Sequence, residues 1–562
     1  MQQESIQAAL ALLLGPKTEY RTRLRATRRL AKQGSTILPL VLSTFSNYPE
    51  ITRPAWPWWP PQYEHTSRLL LHLSQHEKIS LGELLHHPIL GDAPGPVLWT
   101  SIMEAASLVP QEDNEELLCQ GLHTSWTSVR YAAAMALATR ARAHSLYPST
   151  CTILHHHQGE HEAYPVRLTA SYALLNNGDP AGLEVLMCFL SADVPDEIRK
   201  AATFILATER PSQLTPDQQE RLSTHLIQLL SDADVEIAQH AAHALSKIAT
   251  SQTILTLYPL LETTDEHIQI IILTILEEIA QRDKTLRHQM RQHTLTMRLL
   301  PMLKSIHPDL RRQACYTLAA CGGEYVAAVF GTIVMNREHP GQGEVIECLR
   351  CFHGALRTPL RGHIVRWLLR VLTTPEENLQ VTALDSLAQL LWLARNNGRQ
   401  AAWQEISQEM AQNDTFKSLL HEPSPLLRQR TLESCAALGK FLHTTPELHP
   451  YFQSLLLDDS DSGVRACAAY VCGKAGARWA IPILLQALLD TDEHVASTAL
   501  HALAEITTTE DTVVVYALTE LTRLQEDSMP AIHNLALEAR SILKKWQKAE
   551  QNERHKTLHG LS

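Results

Sequence analysis

Glycine is scarce in this chain, with 22 residues in 562, and aromatic residues make up only 6%. Sandwiches and barrels draw on aromatic and β-branched strands closed by glycine turns, and nucleotide folds draw on glycine-rich loops. Both classes are therefore disfavoured. No stretch approaches eighteen uninterrupted apolar residues, so no membrane span is expected. Ten cysteines in so long a chain make no dense disulfide framework. Most sit among alanines and leucines, as Cys467 and Cys472 do, which fits small buried residues in a reducing cytoplasm. The opening MQQESIQAALALLLGPKTEY carries Glu4 and no basic segment before its apolar run, so it reads as a first helix rather than a secretory signal. Positive charge is not in excess: 49 basic against 60 acidic residues give a net charge of −11. Generic duplex-DNA binders are more often basic, because phosphate contacts supply most of their non-specific affinity. Walker, GxGxxG, GxSxG and HExxH motifs are missing. No catalytic residue is nominated, no cofactor is expected, and an enzyme is the less favoured reading.

What is present is helical periodicity. The segment from Asp458 to Asp490 reads as one unit. An acidic turn (Asp458, Asp459, Asp461) precedes a small-residue helix with Val464, Arg465, Ala468 and Ala469. Gly473 and Gly476 are expected to break that helix, and Ile481, Leu484, Leu485 and Leu488 mark a second one. The same pattern recurs from about Leu117 onward. Taking the Val of Val464-Arg465 as anchor, equivalents fall at Val129, Val166, Ile198, Val235 and Ile268. Others follow at Leu310, Val345, Leu379, Leu427, Val495 and Ile532. The spacing averages about 37 residues, the period of a helix-pair solenoid. Longer gaps after Ile268 and Leu379 imply longer helices or insertions near Arg282–Met297 and Ala394–Asp414. Turn acids such as Asp232, Asp234, Asp265, Asp461, Asp490 and Asp492 sit where helix N-caps are wanted. Together they predict a negative ridge along one edge.

The ends differ from this pattern. Residues 1–45 read as two helices, the second carrying Arg21, Arg25, Arg28, Arg29 and Lys32. These form a basic patch that reads first as a solvated face and second as a site for phosphate or an acidic partner. Residues 46–65 are rich in proline and tryptophan, and proline's missing donor keeps them out of helices and central strands. Trp56, Trp58, Trp59 and Tyr63 in this loop are candidate partner-binding residues; the competing reading is a cap on the exposed end of the array. Residues 66–116 read as irregular helical repeats, 117–547 as the regular array, and 548–562 as a polar tail.

The hydrophobic-Arg, paired-Ala signature resembles the HEAT family of helical repeats, including the bacterial HEAT-like group first associated with phycobilin lyases. It is carried by Asp461/Val464-Arg465/Ala468-Ala469, Asp196/Ile198-Arg199/Ala201-Ala202, Val129-Arg130/Ala132-Ala133 and Asp309/Leu310-Arg311/Ala314. The Arg is missing where Glu236, Gln269 and Ala496 follow their anchors. The resemblance implies an all-α fold: a right-handed α-solenoid, or superhelix, of about twelve hairpins with an atypical N-terminal cap. It is nearly silent on activity.

Two clusters have metal-like spacing. His155, His156, His157 and His161 surround Gly159 and read as exposed loop histidines. Cys348 and Cys351 with His353 resemble half a zinc site, but no second CxxC completes it. Neither is nominated as a metal site. His-Glu pairs at His76-Glu77, His161-Glu162 and His421-Glu422 are too irregular to carry over the iron chemistry of deoxyhypusine hydroxylase, another HEAT-repeat protein. The leading expectation is a non-catalytic scaffold whose concave face, lined by the second helices, holds a protein or peptide partner. A nucleic-acid binder similar to HEAT-like DNA glycosylases is the alternative, and a HEAT-like lyase or metal-dependent enzyme a more distant one.

Overall fold

The computed structural model describes residues 2–52, 57, 59–91, 94–111, 114–209, 214–263, 265–291, 294–507, 511–523, 534–546 and 548. Every regular element among them is a helix, and the fold is an all-α solenoid of stacked helical pairs. The chain divides into two compact units, residues 1–279 and 280–562.

In each unit the helices that begin at the anchors pack on their successors. In the first unit Thr127–Ala143 lies beside Tyr164–Asn176, and Asp196–Thr208 beside Val235–Ile248. In the second, Glu377–Asn396, Pro425–Leu438, Ser462–Ala475 and Glu493–Ile506 follow one another. The preceding helix of each pair covers the outer side, as His449–Leu457 covers Ser462–Ala475. A two-helix unit cannot bury both faces alone, so stacking supplies the continuous core. The alanine pairs sit at the closest approach: Ala132, Ala133, Ala201, Ala468 and Ala469 are all fully buried.

The Arg of the repeat signature has a task that the spacing alone does not disclose. Arg465 clasps Asp490 of the next turn with two bonds (Nε–Oδ2 2.7 Å, Nη2–Oδ1 2.9 Å) and donates Nη1 to the Asp459 carbonyl of its own turn. Arg428 does the same to Asp459 and the Glu422 carbonyl. In other repeats Arg130 clasps Glu162, Arg311 clasps Glu344, and Arg199 reaches Asp232 at 3.0 Å. Such planar two-point pairing ties one repeat to its neighbour with fixed geometry. Where glutamine replaces Arg, Gln269 and Gln380 still donate to the carbonyls of their own turns, but they have no charge to offer the next one.

Turn acids therefore divide their labour. Asp234, Asp461 and Asp492 are N-caps, accepting from Glu236, Val464 and both His494 and Val495. Asp232, Asp459 and Asp490 instead accept a backbone N–H two residues on and an arginine from the previous repeat. Of the acids expected along the negative ridge, Asp232 and Asp490 are thus spent on guanidinium groups.

Several local expectations shift. Gly473 does not end its helix, which runs Ser462–Ala475; Gly476 ends it in the left-handed conformation, φ +67°. A Cβ at Gly473 would lie 2.8 Å from the Ala502 Cα, so glycine is there for helix contact. The N-terminal segment holds three α-helices, Gln2–Leu14, Tyr20–Ala31 and Leu38–Ser46, because Gly34 (φ +60°) opens a short 3-10 turn where the sequence predicts a continuous helix. The longer gaps are filled by helices: Lys284–Arg291 and Thr294–Leu299 in one, Gln400–Gln412 and Asp414–Ser418 in the other.

Candidate partner-binding surface

The face of the second helices that turns away from their partners is where an array of this kind can present side chains. In the second unit that face carries paired polar and charged groups, some within one helix and some between neighbours. Tyr316 donates to Glu347, which also accepts from Arg350 at 2.9 Å. Arg430 pairs with Glu433, and Lys474 with Glu505 across neighbouring helices. Cations and carboxylates alternate, so there is no unbroken basic stripe among these residues.

Two large aromatics stand on this face. Trp392 is 55% exposed and shares a helical face with Asp385 and Gln389, at spacings of seven and three. Tyr470 is 48% exposed, with the Lys474 ammonium over its ring at 5.5 Å. Sequence reading missed both. The available signal was their position on the polar side of helices whose opposite side is apolar.

The N-terminal loop has a different place. Trp56 and Trp58 lie outside the described residues. Trp59 is half-buried, with its ring 4.9 Å from Tyr63 and 5.3 Å from Tyr131. Tyr63 is fully buried, and its hydroxyl donates to the Ile51 carbonyl at 3.2 Å. Glu50 accepts from the backbone N–H of Ser128 at 2.8 Å, at the start of Thr127–Ala143. Glu50 and Trp59 of the loop thus lie against that second helix. Tyr63 is corrected from candidate contact residue to core, since it has no surface to offer. Arg21, Arg25, Arg28 and Arg29 are exposed along Tyr20–Ala31, and so is Lys32 just past its C-terminal end. Arg23, on the opposite face, is buried and donates to the Gly15 carbonyl.

Beneath this loop region the Glu104 carboxyl is pushed up to about 7, by burial first and by the Glu64 charge second. The protonated form is the one that fits the folded chain. Stability should fall as pH rises from about 4.5 to 7 and stay low above, because the unfolded chain gives up the proton earlier. Glu104→Gln is expected to gain up to about 2–3 kcal/mol over wild type at pH 8 and almost nothing at about pH 4. Thermal unfolding at the two pH values checks this; an equal shift at both would refute it.

His155, His156 and His161 are exposed, as expected, but only His161 lies in a turn outside the helix. His155–His157 form the last turn of Pro148–His157. His157 is buried and meets Glu162 at 2.9 Å, His155 meets Asp179 at 3.0 Å, and the His156 ring packs on His161. The side chains are drawn to separate partners. Cys348 is buried and its thiol is pushed well up by desolvation, while Cys351 donates to the Cys348 carbonyl. Among the described residues, no group of three or more His, Cys, Asp or Glu side chains converges as a metal site.

The family comparisons agree with the repeat architecture. Residues 413–504 and 450–538 match the family model for HEAT repeats, and residues 186–398 match that for the adaptin N terminal region. Both matches are to helical-repeat families, in keeping with the all-α array. A solved structure described as an engineered protein aligns with 70% of this chain and 99% of that one, at 19% identity and a TM-score of 0.26. No curated protein matches.

Proposed function

We propose that this protein is a non-catalytic scaffold that holds a protein or peptide partner on the free face of its second helices. The observation that carries this reading is the pair of exposed aromatics on polar helix faces, Trp392 in line with Asp385 and Gln389 and Tyr470 beneath the Lys474 ammonium that pairs with Glu505. Exposed aromatics set among polar groups are what interface hot spots are built from. The charge pairing disfavours nucleic acid on this face, because a polyanion needs cations that are not already neutralised. The cations at Arg21, Arg25, Arg28, Arg29 and Lys32 belong to the same proposal, as a patch for acidic segments of a partner.

The test is capture from native lysate by wild type and by a Trp392→Ala/Tyr470→Ala variant, with and without nuclease. Both side chains are exposed, so the variant is expected to keep the wild-type thermal transition. A protein recovered by wild type after nuclease, and reduced about tenfold or more by the variant, is the expected result. Recovery that depends on nucleic acid, or that the variant leaves unchanged, would overturn it.

A further inference from the structure

Within the second unit a cleft of about 570 Å³ opens between Lys284–Arg291, Glu324–Val334 and Leu360–Val371, a volume ordinary for a ligand pocket. Arg291, His353 and Arg357 line it, and Arg287 stands behind His353. Two smaller depressions, of about 400 and 270 Å³, adjoin it, one sharing Arg291 and Gly323, the other His353 and Arg357. None of the three arginines has a carboxylate partner among the described residues. Arg291 donates to the Cys321 carbonyl, and Arg287 donates to His353 Nδ1 at 3.0 Å. Arg130, Arg428 and Arg465 each clasp an acid, whereas buried Arg287, half-buried Arg291 and exposed Arg357 gather beside a single cavity without one.

His353 completes the donor set. Burial, then the charges of Arg287, Arg291, Arg357 and Lys284, push its imidazole down to about 4, so it is neutral at about pH 7. Because Nδ1 accepts from Arg287, the ring proton is on Nε2, which makes that nitrogen a donor. Gly322 and Gly323 keep the backbone close: a Cβ at Gly322 would sit 2.9 Å from the His353 carbonyl oxygen and 3.2 Å from Arg291 Nη2. Glu324 is the acidic residue of the lining, and it is exposed at the rim. The rest of the wall is largely apolar, formed by Ala327, Leu360 and Trp367.

We propose that this cleft binds a phosphate monoester borne on a partner peptide's side chain, with Arg291 and Arg357 on the phosphate oxygens and the apolar wall around the side-chain stem. A dianion calls for more than one unpaired guanidinium, and guanidinium forks match its oxygens two at a time. The inference rests on the scaffold reading, because it takes the phosphate to arrive on a protein.

Calorimetry on the full chain tests it with three probes: an alanine-flanked phosphotyrosyl pentapeptide, its unphosphorylated form, and phenyl phosphate. The phosphopeptide is expected to bind about tenfold or more tightly than the unphosphorylated peptide, and Arg357→Gln and Arg291→Gln are each expected to lose about that factor. Arg357 is exposed, so its variant should melt as wild type does, and it keeps the test valid if Arg291→Gln fails to fold. Equal affinity for the two peptides, or no loss in Arg357→Gln, would overturn the proposal. Tight phenyl phosphate without phosphopeptide binding would overturn the peptide assignment and make the cleft a small-molecule site. Failure here with the Trp392- and Tyr470-dependent partner intact would sink this inference alone, whereas loss of that partner as well would sink the scaffold reading.

Discussion

Asp490→Ala is expected to destabilise the C-terminal repeats by about 2–3 kcal/mol, somewhat less than for a fully buried pair, since removing one member of a part-buried pair strands the other. The Arg465 guanidinium would lose both side-chain bonds in a setting where it is only 13% exposed, and the Asp492 backbone N–H would lose its acceptor. Arg465→Ala should cost less, because Asp490 keeps the Asp492 N–H. The double variant should cost less than the two single changes together, as a coupled pair does. Long repeat arrays need not unfold in one step, so the measurement is hydrogen exchange in Ser462–Ala475 and Glu493–Ile506. Additive costs would show that the clasp does not couple the repeats. The pH response has a definite sign. Hydrogen bonding from Arg465 holds the Asp490 carboxyl below its usual range. Its contribution is therefore complete above the unfolded value of 3.8 and is lost as pH falls through the lower folded value.

Gly473→Val is expected to cost about 3 kcal/mol, at the upper end of overpacking effects. The new side chain would start 2.8 Å from the Ala502 Cα and 2.9 Å from its Cβ, and a backbone atom cannot rotate aside. The two helices would have to part, opening the interface between Ser462–Ala475 and Glu493–Ile506. Gly476→Ala is a useful contrast. A methyl added there would meet nothing within 4 Å, but the residue holds φ +67°. Its cost should be only about 1 kcal/mol, from backbone conformation alone. Thermal unfolding of the two variants distinguishes the mechanisms. If Gly473→Val melts no lower than Gly476→Ala, close helix contact is not what fixes glycine at 473.

Taken alone, the sequence determined the all-α class, the period, and the buried side of most second helices; at Val235, 49% exposed, the buried position is Ile237 instead. Apolar periodicity and alanine pairs act locally, and every anchor from Val129 to Val495 lies in a helix of the array or, at Val235, opens one. It could not tell an Asp that caps its own helix from an Asp that receives an arginine about thirty residues away. Asp459 and Asp461 are neighbours in the same turn, and only the packing of one repeat on the next separates their roles. The same limit governed the aromatics. Tyr63 stood out by its prolines and tryptophans yet is core, while Trp392 and Tyr470 carry no local mark and stand exposed. Exposure depends on what lies opposite in space, which here means helices and loops distant in the chain, such as Glu50 at Ser128. Nor did any motif join Arg287, Arg291, His353 and Arg357. They are spread over seventy-odd residues of chain, and tertiary structure alone brings them to one cleft without a carboxylate to neutralise them.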